Sequence, residues 1–153
     1  MVEREKWIKA RMIVEVAGFP KEHIEQTIVL LGEKFAENNP SVKVTKRMVR
    51  EPQQVKTSKI WGGFIEFSVD VRDLSTFIGL IFDYLPSSVE IIEPDTITEE
   101  NFKLNGILND LAGRLHQYDA TVKMLRAETR LLSKKAASKE KQANQDQPKP
   151  KEG

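Results

Sequence analysis

The sequence predicts an α+β domain, followed by a long coiled-coil helix and a disordered tail. Three observations lead to this prediction. Residues 7–94 alternate between segments whose apolar residues recur every second position and segments whose apolar residues recur at helical spacing. Residues 97–133 carry a heptad pattern of apolar residues, and residues 134–153 carry no such pattern. The chain therefore divides into three regions with different expected structures.

The domain begins with a predicted strand and a predicted helix. Alternate residues between positions 8 and 16 are apolar, and charged residues occupy most positions between them, which indicates a half-buried strand. Pro20 is well suited to the first turn of a helix, and the sequence Asn38-Asn39-Pro40 is suited to its end. Between these residues one apolar stripe has helical spacing: Ile24, Ile28, Leu31 and Phe35.

The next two strands are expected to form a hairpin. A second strand is predicted from about residue 42 to residue 49, and the polar segment 51–58, which contains Pro52, is predicted to be the hairpin loop. The third strand is the strongest prediction, because the alternate residues from 61 to 71 are apolar or glycine.

A second helix and a short fourth strand complete the domain. Asp73 is the expected N-cap, because its carboxylate is suited to accept a hydrogen bond from the first helical turn. Residues 89–92 form the fourth strand, which ends at Pro94. The apolar stripe of the helix is expected to consist of Leu74, Phe77, Ile78, Ile81 and Leu85.

The resulting element order is βαββαβ. Right-handed crossover connections would place both helices on one face of a four-stranded antiparallel sheet, which is the ferredoxin-like arrangement. This architecture supports many unrelated functions. The expected fold therefore predicts no activity by itself.

The heptad pattern of residues 97–132 predicts that the C-terminal helix packs against another helix. Its apolar positions alternate in steps of four and three without a slip. A straight helix of this length would measure about 54 Å at a rise of about 1.5 Å per residue, so a small domain is too narrow to cover it. The predicted oligomerisation seam comprises Leu104, Leu108, Leu111, Leu115, Tyr118, Val122, Leu125 and Leu132.

The residues that flank this pattern favour a parallel pair of identical helices. Arg114 at heptad position g would face Asp119 at position e of a second copy. Exposed pairs of this kind contribute only about 0.3–0.5 kcal/mol, so they would select the register and not drive assembly. Two alternatives remain open: the helix folds back on its own domain, or it pairs with a helix of a different protein.

The tail contains six lysines and three acidic residues among residues 134–153, and it has no aromatic or β-branched residue. Such a segment buries too little apolar area to offset the entropy lost on ordering. We therefore expect it to be disordered and to aid solubility. The alternative is a weak electrostatic arm for RNA or for an acidic surface.

Composition excludes several classes of function. The chain has no cysteine, which excludes disulfides, thiol nucleophiles and cysteine-ligated metals. His23 and His116 are its two histidines, and both are expected on the surface. No nucleotide-binding loop, nucleophile elbow or metalloprotease motif occurs, and no apolar run is long enough to span a membrane. We therefore expect a cytoplasmic, non-enzymatic protein that needs no cofactor or metal and binds no membrane.

The third strand also carries a possible nucleic-acid site. Gly63-Phe64-Ile65-Glu66-Phe67 resembles the second half of the RNP1 motif of RNA-recognition domains. Strand alternation places Phe64 opposite Ile65 and Phe67, on the open sheet face, and the resemblance implies that it stacks on a base there. Glu15 and Glu66 are expected on the same face, where carboxylates repel phosphate. The possible contacts are Phe64 and the basic residues of the preceding hairpin: Lys43, Lys46, Arg47, Arg50, Lys56 and Lys59.

A different interpretation assigns the open sheet face to packing. Phe64, Ile13 and Ile92 would form an apolar strip on that face, and exposed apolar strips of this kind need a cover. The C-terminal helix or the sheet of a second subunit would supply it. Under this interpretation the open face binds no nucleic acid.

These patterns together predict a non-enzymatic homo-oligomer. The heptad helix would bring copies of the chain together, and the ferredoxin-like domains would form an interaction or regulatory platform. One alternative is an RNA-binding protein that uses the open sheet face and the basic hairpin. A second alternative is an enzyme or small-ligand sensor whose site lies between subunits.

Overall fold

A computed structural model describes residues 7–145 of the chain of 153 residues. The elements are β1 (Ile8–Gly18), α1 (Lys21–Lys34), β2 (Val42–Gln54), β3 (Trp61–Val71), α2 (Leu74–Tyr84), β4 (Ser88–Glu93) and α3 (Asn101–Gln145). The four strands form one antiparallel sheet in the order β2-β3-β1-β4. The predicted α+β class and the βαββαβ order of the first six elements are confirmed.

The chain divides between Leu104 and Asn105 into two compact units. The first unit holds the sheet with α1 and α2, and the second consists mainly of α3. Within residues 7–145, none of the helices combines the length and the hydrophobicity that crossing a membrane requires.

The core of the first unit is formed by one face of the sheet together with α1 and α2. Alternate residues of β3 from Ile65 to Val71 are almost completely buried, as the two-residue period predicts. The ring of Phe35 stacks on that of Phe67 with 3.8 Å between the centroids. Complete burial of a large apolar side chain contributes about 1.5–3 kcal/mol, so this cluster is the main source of stability for the unit. Its other members include Ala10, Met12, Val14, Ile24, Ile28, Phe77 and Leu80.

A tyrosine joins the ends of the two helices. The backbone N–H of Ala36, just beyond α1, donates a hydrogen bond of 2.8 Å to the hydroxyl of Tyr84, the last residue of α2. The same tyrosine ring contacts Phe35, with 4.4 Å between the centroids. The two helical segments therefore share both a polar and an apolar contact.

The caps of α2 explain one correction to its predicted stripe. The Asp73 carboxylate accepts a hydrogen bond of 2.7 Å from the backbone N–H of Thr76, so the predicted N-cap is confirmed. Leu85, which the spacing assigns to the buried stripe, is exposed, and Leu80 is buried in its stead. The reason is the left-handed backbone of Leu85, which ends the helix before that residue joins the stripe.

The predicted loop at residues 51–58 is wrong at its first half, because β2 continues to Gln54. The register between β2 and β3 shifts twice, between Val44 and Lys46 and again between Arg50 and Gln53. Pro52 lies within the second shift and is buried there. Since a bulge leaves a residue outside the ladder, the missing N–H of proline costs no hydrogen bond.

The C-terminal helix starts later and ends later than its sequence pattern predicts. It begins at Asn101, and it continues through residues 134–145, for which the prediction of disorder is wrong. The added segment is rich in Lys, Ala and Gln, which favour helix. Extending an existing helix avoids the cost of a new nucleus, so no buried face is needed. The rest of the predicted tail, residues 146–153, lies outside the described residues.

Candidate functional site

All eight predicted seam residues lie on α3, and all are exposed. Their exposed fractions run from 37% at Leu104 to 66% at Leu132. Steps of three and four residues bring side chains to one side of a helix with 3.6 residues per turn. Soluble monomers seldom expose this much contiguous apolar surface, which marks it as a candidate contact region. The seam comprises Leu104, Leu108, Leu111, Leu115, Tyr118, Val122, Leu125 and Leu132.

The seam contains a depression that fits helix pairing. In the predicted heptad its main lining residues occupy two a positions, one d position and one e position. In coiled coils, each a or d side chain of one helix enters a hole formed by four residues of the other. The depression therefore has the composition of such a hole. It is lined by Val122, Leu125, Arg126 and Thr129, with Arg130 at its rim.

The charged residues beside the seam form pairs within α3. Arg114 lies 3.3 Å from Asp110, and Lys123 lies 2.6 Å from Asp119. Both pairs are spaced four residues apart on exposed surface, where an ion pair contributes little to stability. Arg114 and Asp119, the predicted partners between subunits, therefore each have a carboxylate or ammonium neighbour within one helix.

The open face of the sheet carries Phe64 and Ile13 as predicted. The neighbours of Phe64 in β3, Gly63 and Ile65, are buried, so Phe64 points to the opposite face, where it is half-buried. Ile13 is also half-buried and lies diagonally across β1 from Phe64. The two residues are diagonal neighbours on the open face, which also carries the exposed side chain of Met48.

Ile92 does not form a continuous apolar strip with Ile13 and Phe64. It lies in the register shift of β4, beside Lys9 and Ala10, several residues along β1 from Ile13. The ion pair between Arg11 and Glu90, 3.1 Å long, occupies the intervening stretch. The apolar strip inferred from the sequence is therefore interrupted by charge.

The β4 edge of the sheet is acidic, and its carboxylates are paired. Glu93 lies 2.9 Å from the ammonium of Lys9, and Glu90 is paired with Arg11. The hydrogen bond that the Lys9 ammonium donates to Glu93 and the negative charge of Glu93 raise the pKa of Lys9 above its usual value. These pairs bridge β4 and β1 on the exposed surface of the sheet.

The β2 edge is basic. We call six residues the basic edge: Lys43, Lys46, Arg47 and Arg50 in β2, with Lys56 and Lys59 in the turn that follows. All six are exposed, and within residues 7–145 none of them forms an ion pair with a carboxylate. The structure therefore gathers all the predicted basic contacts at one edge.

Two members of the basic edge lie over aromatic rings. The ammonium of Lys43 is 4.3 Å from the centroid of the Trp7 ring, and the guanidinium of Arg50 is 5.5 Å from that of Phe64. Sequence reasoning did not assign Trp7 to the site. Its position directly before β1, the strand beside β3, was the available signal. These rings fix two of the cations near the sheet without neutralising them.

The described residues offer no evident metal or acid–base site. His23 and His116 are exposed, as predicted. Between residues 7 and 145, no three His, Asp or Glu side chains converge in a way that would hold a metal ion. Over the same range every buried side-chain nitrogen or oxygen has a hydrogen-bond partner. The seam and the basic edge are therefore the two features that call for a partner.

One protein-family model matches the part of the chain that carries the basic edge and most of the seam. The model of the MJ0538 family matches residues 9–131, from β1 to Leu131 in α3. Neither a curated protein nor a solved structure matches the chain. The match covers well over half of the sequence and includes the sheet domain, the basic edge and nearly all of the seam. The chain therefore belongs to the MJ0538 family.

Proposed function

We propose that the chain is a non-enzymatic homo-oligomeric interaction or regulatory module. Copies associate through the seam of α3, and their α+β domains form the platform that meets other molecules. The single observation that carries this proposal is the exposure of all eight seam side chains, between 37% and 66%. Apolar side chains in register with a heptad repeat are stabilised when a second helix covers them.

The domain on this platform is assigned to the ferredoxin-like arrangement. The order β2-β3-β1-β4, with antiparallel neighbours throughout, supports the assignment. The contribution of both α1 and α2 to one core on one sheet face supports it further. This arrangement leaves the second sheet face and both edge strands available for contacts.

The composition of α3 favours two parallel helices in register. In that arrangement Arg114 faces Asp119 of the second copy, and Lys135 faces Glu140, a pair that exists only because the helix continues past Leu132. The remaining g and e positions between residues 100 and 140 bring no like charges together. Leucine at most d positions favours two-stranded pairing, and Asn101 at an a position helps to fix the register.

The seam supplies the apolar surface that such a dimer would bury. Burial of apolar surface contributes about 25 cal/mol per Å2, and each helix supplies eight large side chains. A micromolar dissociation constant requires about 8 kcal/mol after the entropy of association is offset. We therefore expect dimers at micromolar concentrations.

The test is the solution mass of the full chain beside two matched variants. Leu111→Asp places a charge in the middle of the seam, whereas Leu131→Asp makes the same change at an exposed position outside it. Sedimentation equilibrium is expected to give a dimer for the wild type and for Leu131→Asp, and a monomer for Leu111→Asp. A wild-type chain that stays monomeric at high micromolar concentration overturns self-association and leaves a helix of another protein as the partner.

A further inference from the structure

We propose that the basic edge binds the phosphate backbone of a nucleic acid. The phosphates follow β2 and the turn after it, along the rim of the sheet, and do not cross its open face. This proposal does not depend on self-association through the seam, since every residue in it belongs to the first unit.

The charges of this unit are segregated across the sheet. Residues 7–94 contain eleven Lys and Arg and twelve Asp and Glu, so their sum favours no polyanion. Six of the eleven cations nevertheless lie between residues 43 and 59, where Glu51 is the single acid. Because β2 and β4 are opposite edges, the paired acids Glu90 and Glu93 lie on the far side of the sheet. The basic edge therefore presents a local positive potential that the net charge conceals.

The cations project from both sides of the edge strand. Lys46 is paired with Ser68 and Arg50 with Phe64, which places both on the open-face side. Arg47 is paired with the buried Phe67 and therefore points to the helix-covered side of the same edge. At about 3.3 Å per residue, Lys46 and Arg50 are separated by roughly 13 Å along the strand. A polynucleotide that follows the strand meets cations on either side of its path.

These cations are available for a ligand, unlike those near β4. Lys9 and Arg11 are neutralised by Glu93 and Glu90, but within the described residues the six side chains of the basic edge form no ion pair with a carboxylate. Neutralising phosphates with such groups releases condensed counterions, which supplies most of the affinity of sequence-independent binding.

Carboxylates direct the ligand to the edge. Glu15 is the cross-strand partner of Phe64, and Glu66 is two residues further along β3 on the same face. Both would repel phosphates that cross the sheet in the manner of RNA-recognition domains. Arg50 lies over the Phe64 ring at the border between the face and the edge, where a base can stack on its guanidinium plane.

Charged edge strands also protect proteins from edge-to-edge pairing, and the bulges and Pro52 of β2 serve that purpose. The two roles have different requirements. Protection needs charge of either sign, whereas phosphate binding needs positive charge. Charge reversal therefore separates the two roles, because it preserves protection and weakens binding.

The experiment measures fluorescence anisotropy of labelled oligouridylate and of labelled duplex DNA with the full chain, over a series of salt concentrations. We expect binding to at least one probe, with an affinity that falls linearly on a logarithmic salt scale. The double variant Lys46→Glu/Arg47→Glu is expected to weaken binding at least tenfold and to reduce the salt slope. Lys103→Glu/Lys123→Glu, which makes the same change of net charge on α3, is expected to bind like the wild type.

A second variant distinguishes loss of binding from loss of folding. Lys56→Glu/Lys59→Glu alters only the exposed turn, so it keeps the sheet ladder and is also expected to weaken binding. Stronger binding of oligouridylate than of duplex supports base stacking at the edge, and equal binding supports contacts to phosphate alone. The proposal is overturned by absence of binding at low salt, by unchanged binding in both basic-edge variants, or by equally effective competition from polyglutamate.

Discussion

The two units of this chain treat equally regular apolar patterns in opposite ways. In β3 the apolar side chains that recur every second residue, such as Ile65 and Phe67, are fully buried. In α3 the apolar side chains of the heptad repeat are exposed, and Leu115, for example, is more than half exposed. A periodic pattern thus identifies the apolar face of a strand or helix, but other elements must bury that face. For β3 these elements are α1 and α2, and for α3 we propose a second copy.

The largest expected effect is a loss of domain stability when a fully buried residue of β3 is truncated. Phe67→Ala removes a ring stacked on Phe35, so the free energy of unfolding of the domain should fall by about 3–5 kcal/mol. Leu115→Ala on the seam should leave that value nearly unchanged and weaken dimerisation. Urea titration followed by tryptophan fluorescence measures the first quantity, and sedimentation measures the second. Equal loss of domain stability in both variants would contradict the distinction between the two units.

A smaller effect is expected where two glycines differ in their surroundings. A Cβ at Gly63 would lie 2.5 Å from Cδ1 of Ile28 and 3.3 Å from Cγ of Pro52, whereas nothing lies within 4 Å of one at Gly79. Gly63→Ala should therefore destabilise the domain by about 1–3 kcal/mol through overpacking. Gly79→Ala, within α2, should stabilise it by about 0.5–1 kcal/mol. Thermal unfolding of both variants should show midpoints that move in opposite directions.

The smallest effect concerns the two ends of α2. Asp73→Ala removes the carboxylate that accepts the N–H of Thr76, and should cost about 1 kcal/mol of stability. Asp83→Ala, in the last turn of the same helix, removes a negative charge from the unfavourable end of the helix dipole and should be neutral or slightly stabilising. Urea midpoints that fall equally in both variants would argue against the cap.

Local patterns were sufficient to predict most of the fold. The alternation in β1 and β3 and the N-cap at Asp73 depend on neighbouring residues, which the sequence displays directly. The continuation of β2 past Pro52 depends on pairing with β3, and the exposure of Leu85 depends on a left-handed residue. The extension of α3 to Gln145 depends on helix propensity, which a search for apolar stripes does not detect.

The two candidate sites also differ in how far the sequence alone predicts them. The seam follows from one period along one helix, so its residues were identifiable by position alone. The basic residues are contiguous in sequence, but their location on an edge strand opposite the acidic β4 required the strand order. The break between Ile13 and Ile92 required the register of β4 against β1, because only that register places Arg11 and Glu90 between them.

The bond between Ala36 and Tyr84 has a consequence for how the domain opens. It spans 48 positions of the sequence and joins the two βαβ halves of the domain where each helix stops. Neither half can fray from that end without releasing the tyrosine, which exposes both the amide and the rings beneath it. The two βαβ halves are therefore expected to unfold together in one cooperative transition.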